Sequence, residues 1–271
     1  MTKKITKISA QKSKGRYNLD LDGKFAFGIS EMTLIKFGLA KNRELNEKEI
    51  NEIKKYEDIA RAISKSLNYL SHHLRTEKEI FDKLRSLEFN NATIKAAIAR
   101  LKDEKYLDDK IYAENFVRTQ ANLQAAGPLV ISQKLKLVGI PNTDIEAALA
   151  VYETNDQMEN ALSLAEKYQK HYSKNSIIKQ KQKINQALYA KGYDSDLIKA
   201  TIDKLVFEED NQQQLENARR TINHIWSRYD KYGREKAYRA RSYLYGKGFP
   251  AEIIDQVIGE KENDGTGSDF K

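Results

Sequence analysis

Residues 135–149 read LKLVGIPNTDIEAAL. Leu135 stands five positions before a hydrophobic anchor, Ile140, with Gly139 immediately ahead of it, and Ile145 and Leu149 follow at five and nine positions. The same arrangement recurs at Leu84, Phe89, Ile94 and Ile98, at Leu188, Tyr193, Ile198 and Ile202, and at Leu244, Phe249, Ile254 and Ile258. Gly192 and Gly248 precede two of the other anchors, and Asn90, Pro141, Asp194 and Pro250 follow the four. Glycine accepts the left-handed conformation that ends a helix, while Asn, Asp and Pro suit the first positions of the next, so the repeat spells a helix stop followed by a helix start. The anchors lie 51, 53 and 56 residues apart. That leaves room for three helices per repeat and is too long for tetratricopeptide or ankyrin arrays, with periods of about 34 and 33.

Working outward, the fold class is mainly α: tandem three-helix units in an elongated curved array, preceded by a small β-hairpin element. The units are expected at residues 46–107, 108–155, 156–209 and 210–258, each with a small residue on its first helix: Ala60, Ala113, Ala161 or Ala218. Asn46 with Glu49 and Thr76 with Glu79 have capping-box spacing, and Gly127-Pro128 separates the first two helices of the second unit. Glu88 occupies the glycine position of the first unit, which predicts that this helix ends without a left-handed cap. In residues 1–45, Tyr17, Leu19 and Leu21 alternate with polar residues, Asp22-Gly23 offers a two-residue turn, and Phe25, Phe27 and Ile29 alternate again. This predicts a hairpin, with a third strand around Ile5 to Ile8 and a short helix from Ser30 to Phe37 stopped at Gly38. Residues 259–271 are polar and glycine-containing and are read as a disordered tail.

The 271-residue chain is 40% hydrophobic and 32% charged, with a mean hydropathy of −0.72. It has no run of about 18 apolar residues and no apolar segment behind its first lysines, which argues against a membrane span or secretory signal. The absence of cysteine excludes disulfides, thiolate catalysis and cysteine-based metal sites, and it fits a cytoplasmic protein. His72, His73, His171 and His224 have no metal-site spacing and read as surface histidines. Gly246-Lys247-Gly248 lacks the rest of a phosphate loop and reads as a helix end. Asp108-Asp109 and Glu208-Glu209-Asp210 fall where one unit hands over to the next, and they read as carboxylates complementing helix dipoles. No catalytic constellation, cofactor motif or metal set appears, so the chain is expected to bind rather than catalyse.

Charge is distributed unevenly. Lys3 to Arg16 holds six basic residues and no acid, Lys167 to Tyr193 seven lysines and no acid, and Asn211 to Pro250 nine basic residues against three acids. Tyrosines interleave the last two stretches, a composition that suits phosphate backbones or acidic surfaces. From this map the candidate partner- or DNA-binding residues are Lys179, Lys181, Lys183, Arg219, Arg220, Arg234, Arg239 and Arg241. The third helices of the first two units carry too few outward bases to read a DNA sequence.

Tyr69-Leu70-Ser71, Arg75-Thr76-Glu77-Lys78-Glu79-Ile80 and Leu84 resemble the first-unit signature of the bacterial RecX family. Leu107-Asp108-Asp109, Tyr112-Ala113-Glu114-Asn115-Phe116-Val117, Gly127-Pro128, Ile131, Leu135 and Gly139-Ile140 are similar to its second-unit signature. The chain departs from the family at His73, where an Arg is common, and at Gln124, near which a basic residue is usual. The resemblance implies a regulator of the RecA recombinase that lodges in the groove of the RecA filament on single-stranded DNA, blocks its growth and modulates recombination, DNA repair and the SOS response. It implies no catalysis. The expected partners are that filament and DNA contacted directly through the third and fourth units; no membrane is expected, and the protein is expected to be a monomer. An architectural nucleic-acid-binding protein without a recombinase partner is the alternative, and a scaffold a third reading that the tyrosine-interleaved basic runs count against.

Overall fold

Alternation in the first residues produces a sheet rather than a lone hairpin. The computed structural model describes residues 2–207 and 211–266. Strands β1 (Thr2–Ala10), β2 (Arg16–Leu21), β3 (Lys24–Ser30) and β4 (Glu44–Asn46) form an antiparallel sheet in the order β3-β2-β1-β4. Asp22 and Gly23 both have positive φ, as a two-residue turn with right-handed strand twist requires. The third strand lies where it was expected; β4, three residues with only Leu45 buried, had no alternation to reveal it. Helix α1 (Glu31–Lys36) starts at the cap Ser30, and Asn46 makes the full capping box with Glu49 that opens α2 (Glu47–Leu70). Ile5, Leu19, Leu21 and Ile29 of the sheet bury against Leu39, Leu45, Ile50 and Ile53. Beside this core Glu57 of α2, almost fully buried, accepts from Arg16 at 2.5 Å, the Ser30 amide at 2.7 Å, and the Ser30 and Thr33 hydroxyls at 2.9 and 2.6 Å. Four donors on one carboxylate tie β2, β3 and α1 to α2 and compensate its loss of water.

The four anchors each sit in a three-helix unit. The first comprises α2, α3 (Glu77–Ser86) and α4 (Asn91–Asp103); the second, α5 (Asp109–Gln124), α6 (Pro128–Leu137) and α7 (Asn142–Leu149); the third, α8 (Thr154–His171), α9 (Ile177–Lys191) and α10 (Ser195–Lys204); the fourth, α11 (Asn211–Asn223), α12 (Lys236–Gly246) and α13 (Ala251–Thr266). Phe89 packs with Ile94 and Ile98, Tyr193 with Ile198 and Ile202, and Phe249 with Ile254 and Ile258; Ile140 is buried. Leu84, Leu135, Leu188 and Leu244 are fully buried. By compactness the chain divides into two bodies, Met1–Asn115 with Lys134–Ala148, and Phe116–Gln133 with Leu149–Lys271.

Three expectations need correction, and one further element had none. The buried small residue of the first unit is Ala62, which stands as far before Phe89 as Ala113 does before Ile140; Ala60 is only half-buried. Glu88 does adopt a left-handed conformation, φ 64°, alongside Gly139 at 89°, Gly192 at 91° and Gly248 at 81°. Helix α13 continues through Gly259 to Thr266, because the apolar stripe Ile254, Val257 and Ile258 anchors a helix that its polar end extends; the last five residues of the expected tail, and the acidic turn at 208–210, lie outside the described residues. Finally, a 3-10 segment, Trp226–Glu235, separates α11 from α12, an insertion with no counterpart in the other units.

Adjacent units meet through one recurring joint. The carbonyl just before each helix-ending glycine receives a donor from the start of the preceding unit's second helix. Thr76 Oγ1 reaches the Val138 carbonyl at 2.7 Å, the Gly127 amide reaches Lys191 at 2.7 Å, and Ser176 Oγ reaches Lys247 at 2.6 Å. The glycines are therefore doubly constrained. A Cβ on Gly139 would lie 2.5 Å from the Lys78 side chain, on Gly192 2.5 Å from the Val130 amide nitrogen, and on Gly248 3.0 Å from Ile178. Glu88 belongs to the first unit, and no helix of a preceding three-helix unit covers it, so its side chain has room and only the backbone strain remains.

Candidate nucleic-acid interface

All eight residues of the charge map fall in the second body, but they do not form one cluster. Lys179, Lys181 and Lys183 lie on α9. At 3.6 residues per turn, positions four apart share a face and the one between them points away. Lys181 accordingly sits over Phe207, 4.9 Å from the ring centre, whereas Lys183 sits over Tyr172 at 4.7 Å. Lys179 lines a cavity of about 200 Å³ at the joint of the third and fourth units. There it meets His224, Tyr243 and Lys247, the last of which lies 5.0 Å from the Tyr243 ring. No carboxylate lines this cavity.

Three of the arginines are already engaged. Arg219 makes a two-pronged pair with Glu260 at 2.7 and 2.6 Å, an interaction that raises the pKa of the guanidinium and lowers that of the carboxyl. Arg239 pairs with Glu235 at 3.0 Å while lying over the Tyr232 ring at 4.1 Å, and Arg241 pairs with Asp255 at 2.9 Å. Arg220 and Arg234 are exposed and have no ion-pair partner among the described residues. A count of basic residues could not separate these groups, because the carboxylate partner of Arg219 lies forty-one positions away in sequence. The candidate set also left out Lys247, counted in its stretch but read as part of a helix end, and His224, read as a surface histidine.

The tyrosines divide in the same way. Tyr193 is fully buried and donates to the Ala125 carbonyl at 2.9 Å, and burial pushes its hydroxyl far above the ordinary phenol range, so it is a core group. Tyr189, Tyr238 and Tyr245 are exposed and present flat rings to solvent. Asp108 caps α5 by accepting from the Lys110 and Ile111 amides, and Asp109 accepts from the Glu77 amide at 2.9 Å. Both carboxylates are thus structural. The four histidines are exposed, and among the described residues no group of three His, Asp or Glu side chains is placed to hold a metal ion. No helix among those residues is long and apolar enough to cross a membrane.

Four family models match this chain in order. Residues 3–46 match the regulatory protein RecX N-terminal domain, 62–101 the first three-helix domain of RecX, 108–149 the second, and 155–202 and 212–258 each match the third. The chain belongs to the RecX family of regulatory proteins. Among its relatives, regulatory protein RecX of Leuconostoc mesenteroides subsp. mesenteroides is 43% identical over 261 residues, covering 96% of this chain and 98% of that one. RecX of Bacillus mycoides is 36% identical over 267 residues, covering 96% and 99%. A crystal structure of regulatory protein RecX aligns with a TM-score of 0.65 at 39% identity over 74% of this chain and all of that one. A second, of RecX from Lactobacillus salivarius, aligns at 0.54 and 41% identity over 55% and 97%. Repetition of the third RecX domain accounts for the fourth anchor.

Proposed function

We propose that this protein regulates the RecA recombinase by binding the RecA filament on single-stranded DNA, lodging in its groove, limiting its growth and activity and so modulating recombination and DNA repair in the cytoplasm. The observation that carries this reading is the ordered match of RecX domains across nearly the whole chain. Each unit adds a modest surface, so affinity accumulates from many weak contacts along a repetitive partner. The protein acts as a monomer and without catalysis. Direct contact with DNA is favoured by the Lys179, His224 and Lys247 cavity, by Lys183, Arg220 and Arg234, and by the exposed tyrosines, which suit a strand offering phosphates and base faces.

Sedimentation with RecA, with and without single-stranded DNA, tests the reading, together with RecA-dependent ATP hydrolysis and strand exchange. The protein should co-sediment with the coated strand and lower both activities. The charge-reversed Lys179→Glu, Lys181→Glu, Lys183→Glu variant should lose affinity for bare strands, its salt slope falling by about 0.7 for each phosphate contact removed. It should lose less on RecA-coated strands. If the unmutated protein binds DNA tightly yet leaves RecA activity unchanged at saturation, the architectural DNA-binder reading replaces this one.

A further inference from the structure

A second basic surface lies in the first body, where the end of the Lys3–Arg16 stretch meets bases of α2 and α3 that belong to no counted stretch. Arg61, Lys65, Tyr69 and His72 follow one another at intervals of four, four and three residues, so they share one face of α2 and its C-terminal turn. Two clefts open along that face and meet at Lys65. One, of about 620 Å³, lies between α2 and the β1–β2 connection and is lined by Lys14, Arg16, Arg61 and Lys65, with Glu31 as its one carboxylate. The other, of about 300 Å³, is lined by Lys65, Tyr69, His72 and Lys83 and contains no carboxylate. Arg16 is held by Glu57, and Arg61 by Asp58 at 3.5 Å. Lys14, Lys65 and Lys83 have no ion-pair partner among the described residues.

We propose that this track binds the backbone of a single-stranded nucleic acid. Its cations come from the β1–β2 connection, β2, α2 and α3 and line two clefts that share Lys65. From Arg61 to Tyr69 the helix rises roughly 12 Å, enough for successive phosphates rather than one isolated anion. Between Lys65 and Lys83 the exposed His72 ring offers a stacking surface, while the half-buried Tyr69 ring carries Arg75 at 4.2 Å and Lys83 at 5.8 Å and adds an aromatic group already faced by cations. Backbone cations with a stacking group are how single strands are held without sequence preference. The Ser13 and Ser64 hydroxyls in the larger cleft add donors for phosphate oxygens. An acidic protein segment would use the cations but has no need of the rings. The proposal extends DNA contact to the first unit and does not depend on a recombinase.

The test measures binding of the full chain to fluorescent oligothymidylate, without RecA, across a salt series. The Lys14→Glu, Lys65→Glu variant removes two exposed, unpaired cations and leaves the Arg16–Glu57 bridge intact. Its affinity at low salt should fall about tenfold or more, and its salt slope by about 1.4. The control, Lys95→Glu with Lys136→Glu, makes the same change of net charge at exposed positions away from the track and should lose much less. Equal losses in the two variants would reduce the effect to net charge and overturn the proposal. Displacement of the probe by oligoglutamate as readily as by unlabelled oligothymidylate would overturn it in favour of an acidic protein surface. If charge reversal lowers the far-UV helical signal, the neutral Lys14→Gln, Lys65→Gln pair reads the same contacts, and an unchanged affinity there counts against the track.

Discussion

At the joint of the first two units Thr76 donates to the Val138 carbonyl, Asp109 receives the Glu77 amide, and Gly139 lies under Lys78. At the joint of the last two, Ser176, Gln214 and Gly248 under Ile178 take the same places, Gln214 accepting from the Ile177 amide at 3.4 Å. The middle joint differs. The Gly127 amide replaces the hydroxyl, and α6 opens with Pro128, which has no amide hydrogen to satisfy. The comparison shows what the array preserves: the carbonyl before the glycine and the close approach of the preceding helix. The chemistry of the donor varies freely as long as no buried polar group is left alone.

The largest effect should come from Gly127→Ala. Its Cβ would lie 2.3 Å from the Gly192 backbone, where no side chain can move aside, so a loss of roughly 3 kcal/mol or more is expected by denaturant titration. A neutral outcome would show that the middle joint is looser than its hydrogen bonds suggest. Next, Thr76→Ala and Ser176→Ala each remove a cap and leave a carbonyl unpaired, at a cost of about 2 kcal/mol. Thr76→Ser, which keeps the hydroxyl, should recover most of the first loss. A smaller change of opposite sign is expected from Glu88→Gly. It relieves a left-handed residue at some cost in unfolded-chain entropy, for a net gain of about 0.5 to 1 kcal/mol in thermal unfolding.

The smallest effect separates the two outer joints by charge. Burial pushes the Asp109 carboxyl above its ordinary value of 3.8, only partly offset by the Glu77 amide. A raised carboxyl pKa means that the fold favours the protonated form, so this group's contribution to stability is full in acid and fades as pH rises through the raised pKa. Asp109→Asn keeps the acceptor and removes the charge, as Gln214 does at the other joint. The difference in melting temperature, variant minus parent, should therefore grow from acid to neutral pH. The opposite trend would show that attraction to Lys102 outweighs burial.

The repeat was legible because its anchors are core positions, where burial dictates hydrophobic type at fixed helical spacing. Glu88 was placed correctly and misjudged in conformation: sequence shows that glycine is missing, and only structure shows that nothing crowds the site. Strand β4 was invisible because three residues carry no period, and the Trp226–Glu235 insertion because it interrupts rather than repeats the pattern. The basic residues were found, but not which of them are free. Arg219, Arg239 and Arg241 are occupied by carboxylates that folding brings near, while Lys14, Lys65 and Lys83 converge only when a strand connection meets a helix face.

The joints also have a polarity. The first unit offers a donor, Thr76, but has no helix-ending glycine whose preceding carbonyl would receive one. The fourth offers the Lys247 carbonyl and Gly248, but the cap residue before its middle helix α12 is Glu235, whose side chain makes no capping bond. Only the second and third units possess both halves. In the language of assembly they are interchangeable links between two unlike end pieces, so an engineered protein could be lengthened or shortened by inserting or excising interior links. Adding a unit at either end would first require giving Glu88 or Glu235 the missing half of the connection.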